Sequence, residues 1–374
     1  MLFVCLSHFT GVFLAPWENA SLSPVLRSWG KVAVTISMIA SPSFVAVSGI
    51  VIGYLYRGNP AGMRALRRKL IDRGLFLLLI GHALLAFPAF LQQREALHAL
   101  RFEMITDAIA IAIIIGPSLV LWLSPRGRIV VGTAILVLSW CATYLWIPGG
   151  TVERIIERYA FGMVDEPTLS GFPFVPWLGV YVLATVLGER VGGYVEASRP
   201  RQGDRVLYRV GAIALGIGAA FGIARHALRA VSPELLNAHA TLAGFLAPGR
   251  KFPPGPVYLL LFGGAGMILI AKAFSFGRDE TRAYLTRPLS TIGRASFFVF
   301  ILQDYVYYAA LPALDLPYPQ LWPMYFVATI LLFLAAAALW NSLDGNRYLT
   351  VGLWRTAPMM RAMRARARTT LAAR

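Results

Sequence analysis

Long apolar runs divided by short polar or basic breaks dominate the chain, falling roughly at 1–14, 32–56, 74–90, 104–123, 129–148, 172–188, 207–224, 257–274, 291–311 and 322–340. Each approaches the roughly 20 residues that an α-helix needs to cross a hydrocarbon layer of about 30 Å, in which no backbone polar group can be left unpaired. The pattern predicts an all-α polytopic membrane protein of about ten transmembrane helices. The first run is short, covering only about 21 Å at 1.5 Å per residue. It also lacks the basic start of a signal peptide. Turn formers punctuate the runs, as in Arg57-Gly58-Asn59-Pro60, Ser124-Pro125-Arg126-Gly127 and Pro148-Gly149-Gly150.

Composition agrees with the pattern. The 374 residues are 57% hydrophobic and 14% charged, with a mean hydropathy of +0.62, whereas soluble domains carry roughly 25% charged residues. A single membrane domain over 1–345 and a basic tail over 346–374 are expected. The net charge of +17 is not that of a nucleic-acid binder, because the basic residues lie between apolar runs rather than on one soluble face. Cys5 and Cys141 lie within apolar runs, apart from any residues at metal-ligand spacing, so no disulfide framework and no metal are expected.

Charge placement sets the expected orientation, since basic loops stay in the cytoplasm. Ten spans from a cytoplasmic N-terminus put 25 of the 35 Lys and Arg residues inside and 10 outside, and return the C-terminus to the cytoplasm. The setting expected is a multi-pass protein of the bacterial inner membrane. One segment runs against the bias. Residues 225–256 fall outside, yet carry Arg225, Arg229, Arg250 and Lys251 against Glu234 alone.

Ionisable groups within spans are costly, so their positions point to a site. His8 lies in the first run, His82 near the middle of the third, Asp107 one turn into the fourth, and Gln303 with Asp304 late in the ninth. On the expected orientation His8, Asp107, Gln303 and Asp304 share the outer half with Trp177 and Lys251. An outward polar pocket is the expectation. Structural roles compete with it: a helix-to-helix hydrogen bond for either histidine, an interfacial ion pair for Asp107 near Arg101 and Glu103, an aromatic belt for Trp177 and a snorkelling stem for Lys251. On the inner side, Arg57, Arg64, Arg67, Arg68, Lys69 and Arg73 fit either a topology signal that anchors anionic membrane lipids or a binding site for donor phosphates. No Gly-rich phosphate loop or Gly-x-Ser-x-Gly elbow accompanies them.

The motifs occur in a characteristic order: a histidine in the first helix, Pro42-Ser43-Phe44-Val45-Ala46-Val47-Ser48-Gly49, the Arg-rich link to Arg73-Gly74, Pro173 to Gly179, Lys251-Phe252-Pro253-Pro254-Gly255-Pro256-Val257-Tyr258 and Pro288-Leu289-Ser290-Thr291-Ile292-Gly293-Arg294. Together they resemble bacterial membrane proteins similar to heparan-α-glucosaminide N-acetyltransferase and, more distantly, the membrane acyltransferases that modify surface glycans. The resemblance spans nearly the whole chain. It implies transfer of an acyl group, acetyl first of all, from cytosolic acyl-CoA (acetyl-CoA) to a hydroxyl or amine of an extracytoplasmic glycan or lipid-linked sugar.

On that resemblance His8 is the catalytic position, oriented by Asp107, with Lys251 holding the thioester or acceptor oxygen. A neutral imidazole can take a proton from an acceptor or carry an acyl group. Trp177, Asp304 and Ser48 are assigned to the acceptor, and Arg67, Arg68 and Arg73 to the phosphates of CoA. Two positions depart from the family pattern. The Arg-Gly pair that precedes the helix 1 histidine in relatives has no counterpart before His8, and Gln303 stands after Leu302 where relatives carry a histidine. Glutamine hydrogen-bonds but cannot shuttle a proton at neutral pH, which keeps a non-catalytic partner in envelope assembly among the expectations. A secondary transporter or flippase is the remaining alternative, with the same polar groups lining a substrate path.

Overall fold

A computed structural model describes residues 1–14, 22–93, 104–163, 172–238, 240–279, 283–314, 316, 318–349 and 352–353. It is all-α among those residues, and eight helices are long and apolar enough to cross a membrane. In chain order the principal elements are α1 Leu2–Leu14, α2 Pro24–Gly58, α3 Pro60–Pro88, α4 Ile105–Trp122, α5 Pro125–Leu145, α6 Phe174–Glu196, α7 Pro200–Val231, α8 Pro256–Gly277, α9 Ser296–Tyr305 and α10 Pro319–Ser342. The eight exclude α1 and α9. The chain is a multi-pass integral membrane protein. Most of the expected basic tail lies outside the described residues.

Three starts show how local sequence sets the helix limits. Ser23, Asn59 and Ser124 each precede a proline at the first helical position, and each side chain accepts a hydrogen bond from a backbone N–H of the first turn: Leu26, Gly62 and Gly127. Proline costs nothing there, because its missing N–H would have no partner within the helix. The cap at Asn59 corrects the expectation of a loop over 57–73. That stretch is helical from Pro60 onward, because Met63, Leu66 and Leu70 recur at helical spacing and pack on the core. α2 is also longer than predicted, and is broken at Met38 and Ile39 into Pro24–Ser37 and Ala40–Gly58.

The helices pack in two groups. In the first, Phe9 of α1, Val299 of α9, and Trp322 and Phe333 of α10 form one buried cluster. In the second, α2, α4, α6 and α8 meet around Val45, Trp177, Tyr181 and Tyr258. Here small residues allow close backbone approach: a Cβ at Gly53 would meet the backbone of Thr185, and one at Gly188 the backbone of Ile50. Such close contacts matter in lipid, where the solvent supplies little hydrophobic force between helices.

One end of the bundle is basic. It gathers Arg57 bonded to Glu196 at 2.7 Å, the fully buried Arg128 held by Glu189 and Thr185, and Arg278 paired with Asp204. The alternating helices place the start of Ala40–Gly58, the end of α3, the starts of α4, α6 and α8 and the later part of α9 together at the other end.

Candidate functional site

At that other end, where the two helix groups meet, lies a cavity of about 350 Å³. α1 contributes Val4, Ser7 and His8; the second group and its loops contribute Ser41, Phe44, Phe172, Lys251 and Phe252. From α9 and the turn after it come Phe300, Asp304 and Tyr308. These recur every four residues and so share one helix face.

The central feature is a histidine–carboxylate pair. His8 Nδ1 lies 2.9 Å from Asp304 Oδ1, with the two side chains 24% and 6% exposed. A carboxylate on Nδ1 favours the tautomer with the proton there and leaves Nε2 as the basic nitrogen. The edges of Phe300 and Tyr308 pack against the imidazole at centroid distances of 5.6 and 6.0 Å. Ring orientation is thereby fixed from two sides.

Lys251 arrives from the loop before α8. Its Nζ donates to Ser7 Oγ at 3.5 Å and sits 5.4 Å and 5.0 Å from the ring centroids of Phe172 and Phe252. Burial pulls its ammonium pKa down to about 8, because desolvation disfavours the charged form.

Other predicted site residues lie elsewhere. Asp107 does not orient His8; it faces His82, whose Nδ1 is 3.0 and 3.1 Å from the two carboxylate oxygens. It also accepts the Met104 N–H at 3.1 Å, which ties it to the first turn of α4 and satisfies a donor that the helix leaves open. Both side chains are almost wholly buried, at 6% and 2% exposed. His82 thus makes the helix-to-helix hydrogen bond considered for it, with Asp107 as the partner. Arg101 and Glu103, the other neighbours considered for Asp107, lie outside the described residues.

Trp177 is completely buried behind the cavity wall, tilted against Phe172 at 5.9 Å between centroids. Gln303 is fully buried on another face of α9, and neither polar atom of its amide has a hydrogen-bond partner among the described residues. Ser48 Oγ donates to the Phe44 carbonyl one turn back. None of Asp107, Trp177, Gln303 and Ser48 lines the cavity. Sequence reasoning missed Ser7 and Tyr308 as cavity residues. The four-residue spacing from Phe300 through Asp304 was the signal that could have placed Tyr308.

At the basic end, Arg64, Arg67, Arg68 and Lys69 line a second hollow with Leu121 and Trp122, of about 680 Å³. Arg73 does not join them. Its guanidinium donates to the Leu349 carbonyl at 2.9 Å, because Arg73 lies one turn further along α3 and faces the segment after α10. Among the described residues no group of three or more His, Cys, Asp or Glu side chains could hold a metal. No protein-family model, curated protein or solved structure matches the chain.

Proposed function

We propose that the chain is an integral membrane acyltransferase that moves an acyl group, acetyl first of all, from acyl-CoA to a hydroxyl or amine of an extracytoplasmic glycan or lipid-linked sugar. The observation that carries this reading is the His8–Asp304 pair, set in a cavity at the end opposite the basic one. By the positive-inside rule the basic end faces the cytoplasm, so the cavity faces outward. The ten-helix arrangement with both termini inside belongs to the same proposal.

The chemistry follows from the pair. The acceptor O–H or N–H presents its proton to His8 Nε2 as its oxygen or nitrogen attacks the thioester carbonyl carbon. The C–S bond then breaks, and the leaving sulfur takes up a proton to become the free thiol of CoA. Asp304 stabilises the imidazolium that forms in between. Arg64, Arg67, Arg68 and Lys69 bind the phosphates of the donor at the cytoplasmic side, as multiple cations do for phosphate groups. Arg73 has no part in this, because it is committed to Leu349.

The test compares ester- and amide-linked acyl groups on envelope glycans from cells that make the chain and cells that lack it. Acyl content falls in the deletion and returns with the wild-type gene but not with His8→Ala. Identical acylation in all three would remove the enzymatic reading and favour transport.

A further inference from the structure

We infer that the cavity selects an acceptor carrying an anionic group, a carboxylate or a phosphate, and seats that group against Lys251 beside the hydroxyl or amine facing His8. The first argument is an uncompensated cation. Among the described residues no carboxylate lies within ion-pair distance of Lys251 Nζ, and the one carboxylate lining the cavity, Asp304, is engaged by His8.

One long hydroxyl contact and two aromatic rings are what Lys251 does have. Rings attract a cation, but they do not replace the counterion that a half-buried ammonium lacks here. A ligand anion supplies it. The lowered pKa of the lysine agrees with the absence of a protein carboxylate beside it, since an ammonium next to an anion would be held above its ordinary value rather than below it.

The second argument comes from the charge of the whole segment that carries Lys251. The segment over 225–251 brings Arg225, Arg229, Arg250 and Lys251 against Glu234 to the end that otherwise lacks the basic excess. Arg225 Nε is buried and without a hydrogen-bond partner among the described residues. A local positive field of this kind raises the encounter rate of anionic ligands. It also accounts for the one segment that runs against the positive-inside bias.

The anionic acceptor rests on the acyl-transfer reading only for the neighbouring nucleophile; the anion seat itself does not. The experiment titrates the full-length chain in detergent micelles with glucose, glucuronate and glucose 1-phosphate. At least one anionic sugar binds ten times or more tightly than glucose. Which one does so separates a carboxylate-bearing acceptor from a phosphate-bearing one. Lys251→Met removes the preference, and Lys251→Arg retains it.

As a readout that needs no variant, the preferred anionic sugar protects Lys251 Nζ from an amine-reactive probe and glucose does not. Equal binding of all three sugars, an unchanged preference in folded Lys251→Met, or absence of protection overturns the inference. An anion preference without any acyl transfer would sink the proposed function and leave the seat standing. Acyl transfer through His8 to neutral sugars bound equally well would do the reverse.

Discussion

Two histidine–aspartate pairs among the described residues have nearly the same length and opposite accessibility. His8 and Asp304 meet at 2.9 Å between α1 and α9, with a quarter of the histidine side chain exposed in a cavity. His82 and Asp107 meet at 3.0 Å between adjacent helices, with both side chains sealed. The hydrogen bond is common to both, so it cannot distinguish a reactive pair from a structural one. Access distinguishes them: a base must reach the proton that it removes, whereas a buried pair need only satisfy its own polar atoms.

The largest test of this contrast removes each imidazole in turn. His8→Ala lowers acyl transfer by about 10² to 10⁴, the usual worth of general acid–base catalysis, and leaves thermal stability near wild type. His82→Ala leaves most turnover per folded molecule but melts at a lower temperature, since it strands the Asp107 carboxylate at a cost of about 1–3 kcal/mol or more. Equal loss of turnover in the two variants, measured on folded protein, breaks the distinction.

A smaller effect separates the two carboxylates. Asp304→Asn keeps the shape but removes the charge that stabilises the imidazolium, and reduces turnover about tenfold or more. Asp107→Asn can still hydrogen-bond to Met104 and changes the melting temperature more than the rate. Parallel rate and melting measurements on both variants decide whether the roles divide this way.

The smallest effect lies at the basic end. Replacing Arg67 and Arg68 by glutamine weakens acetyl-CoA binding about two- to thirtyfold, from roughly 0.2–1 kcal/mol for each of the two charge contacts. It also flattens the dependence of binding on salt. Arg73→Gln leaves donor affinity unchanged. Titrations at low and high salt check both, and a salt-independent affinity in the wild type would return these arginines to a topology signal.

The helices were legible in the sequence because length and apolarity alone specify a membrane span. The 57–73 stretch is less legible, because its arginines lower the mean apolarity, and only the spacing of Met63, Leu66 and Leu70 marks a buried helix face. His8 and Lys251 were picked out by the cost of placing ionisable groups at membrane depth, and the cavity contains both. The carboxylate partner of His8 is Asp304 rather than Asp107. Asp107 near the start of α4 and Asp304 near the end of α9 lie at the same end of the bundle, and one sequence does not reveal which helices adjoin; that is set by packing such as Phe9 against Tyr307 and Trp322. Gln303 and Asp304 are adjacent in sequence yet face different surroundings, and only helical phase relative to Phe300 and Tyr308 separates them.

The most direct test of the central claim is a sided assay in proteoliposomes containing the oriented full-length chain, with radiolabelled acetyl-CoA confined to the side of Arg67 and Arg68 and a glycan acceptor confined to the side of Lys251. The account predicts labelled acceptor with wild-type protein, none with His8→Ala, and none when donor and acceptor exchange compartments. Transfer that survives His8→Ala, or that proceeds equally in both arrangements, contradicts it.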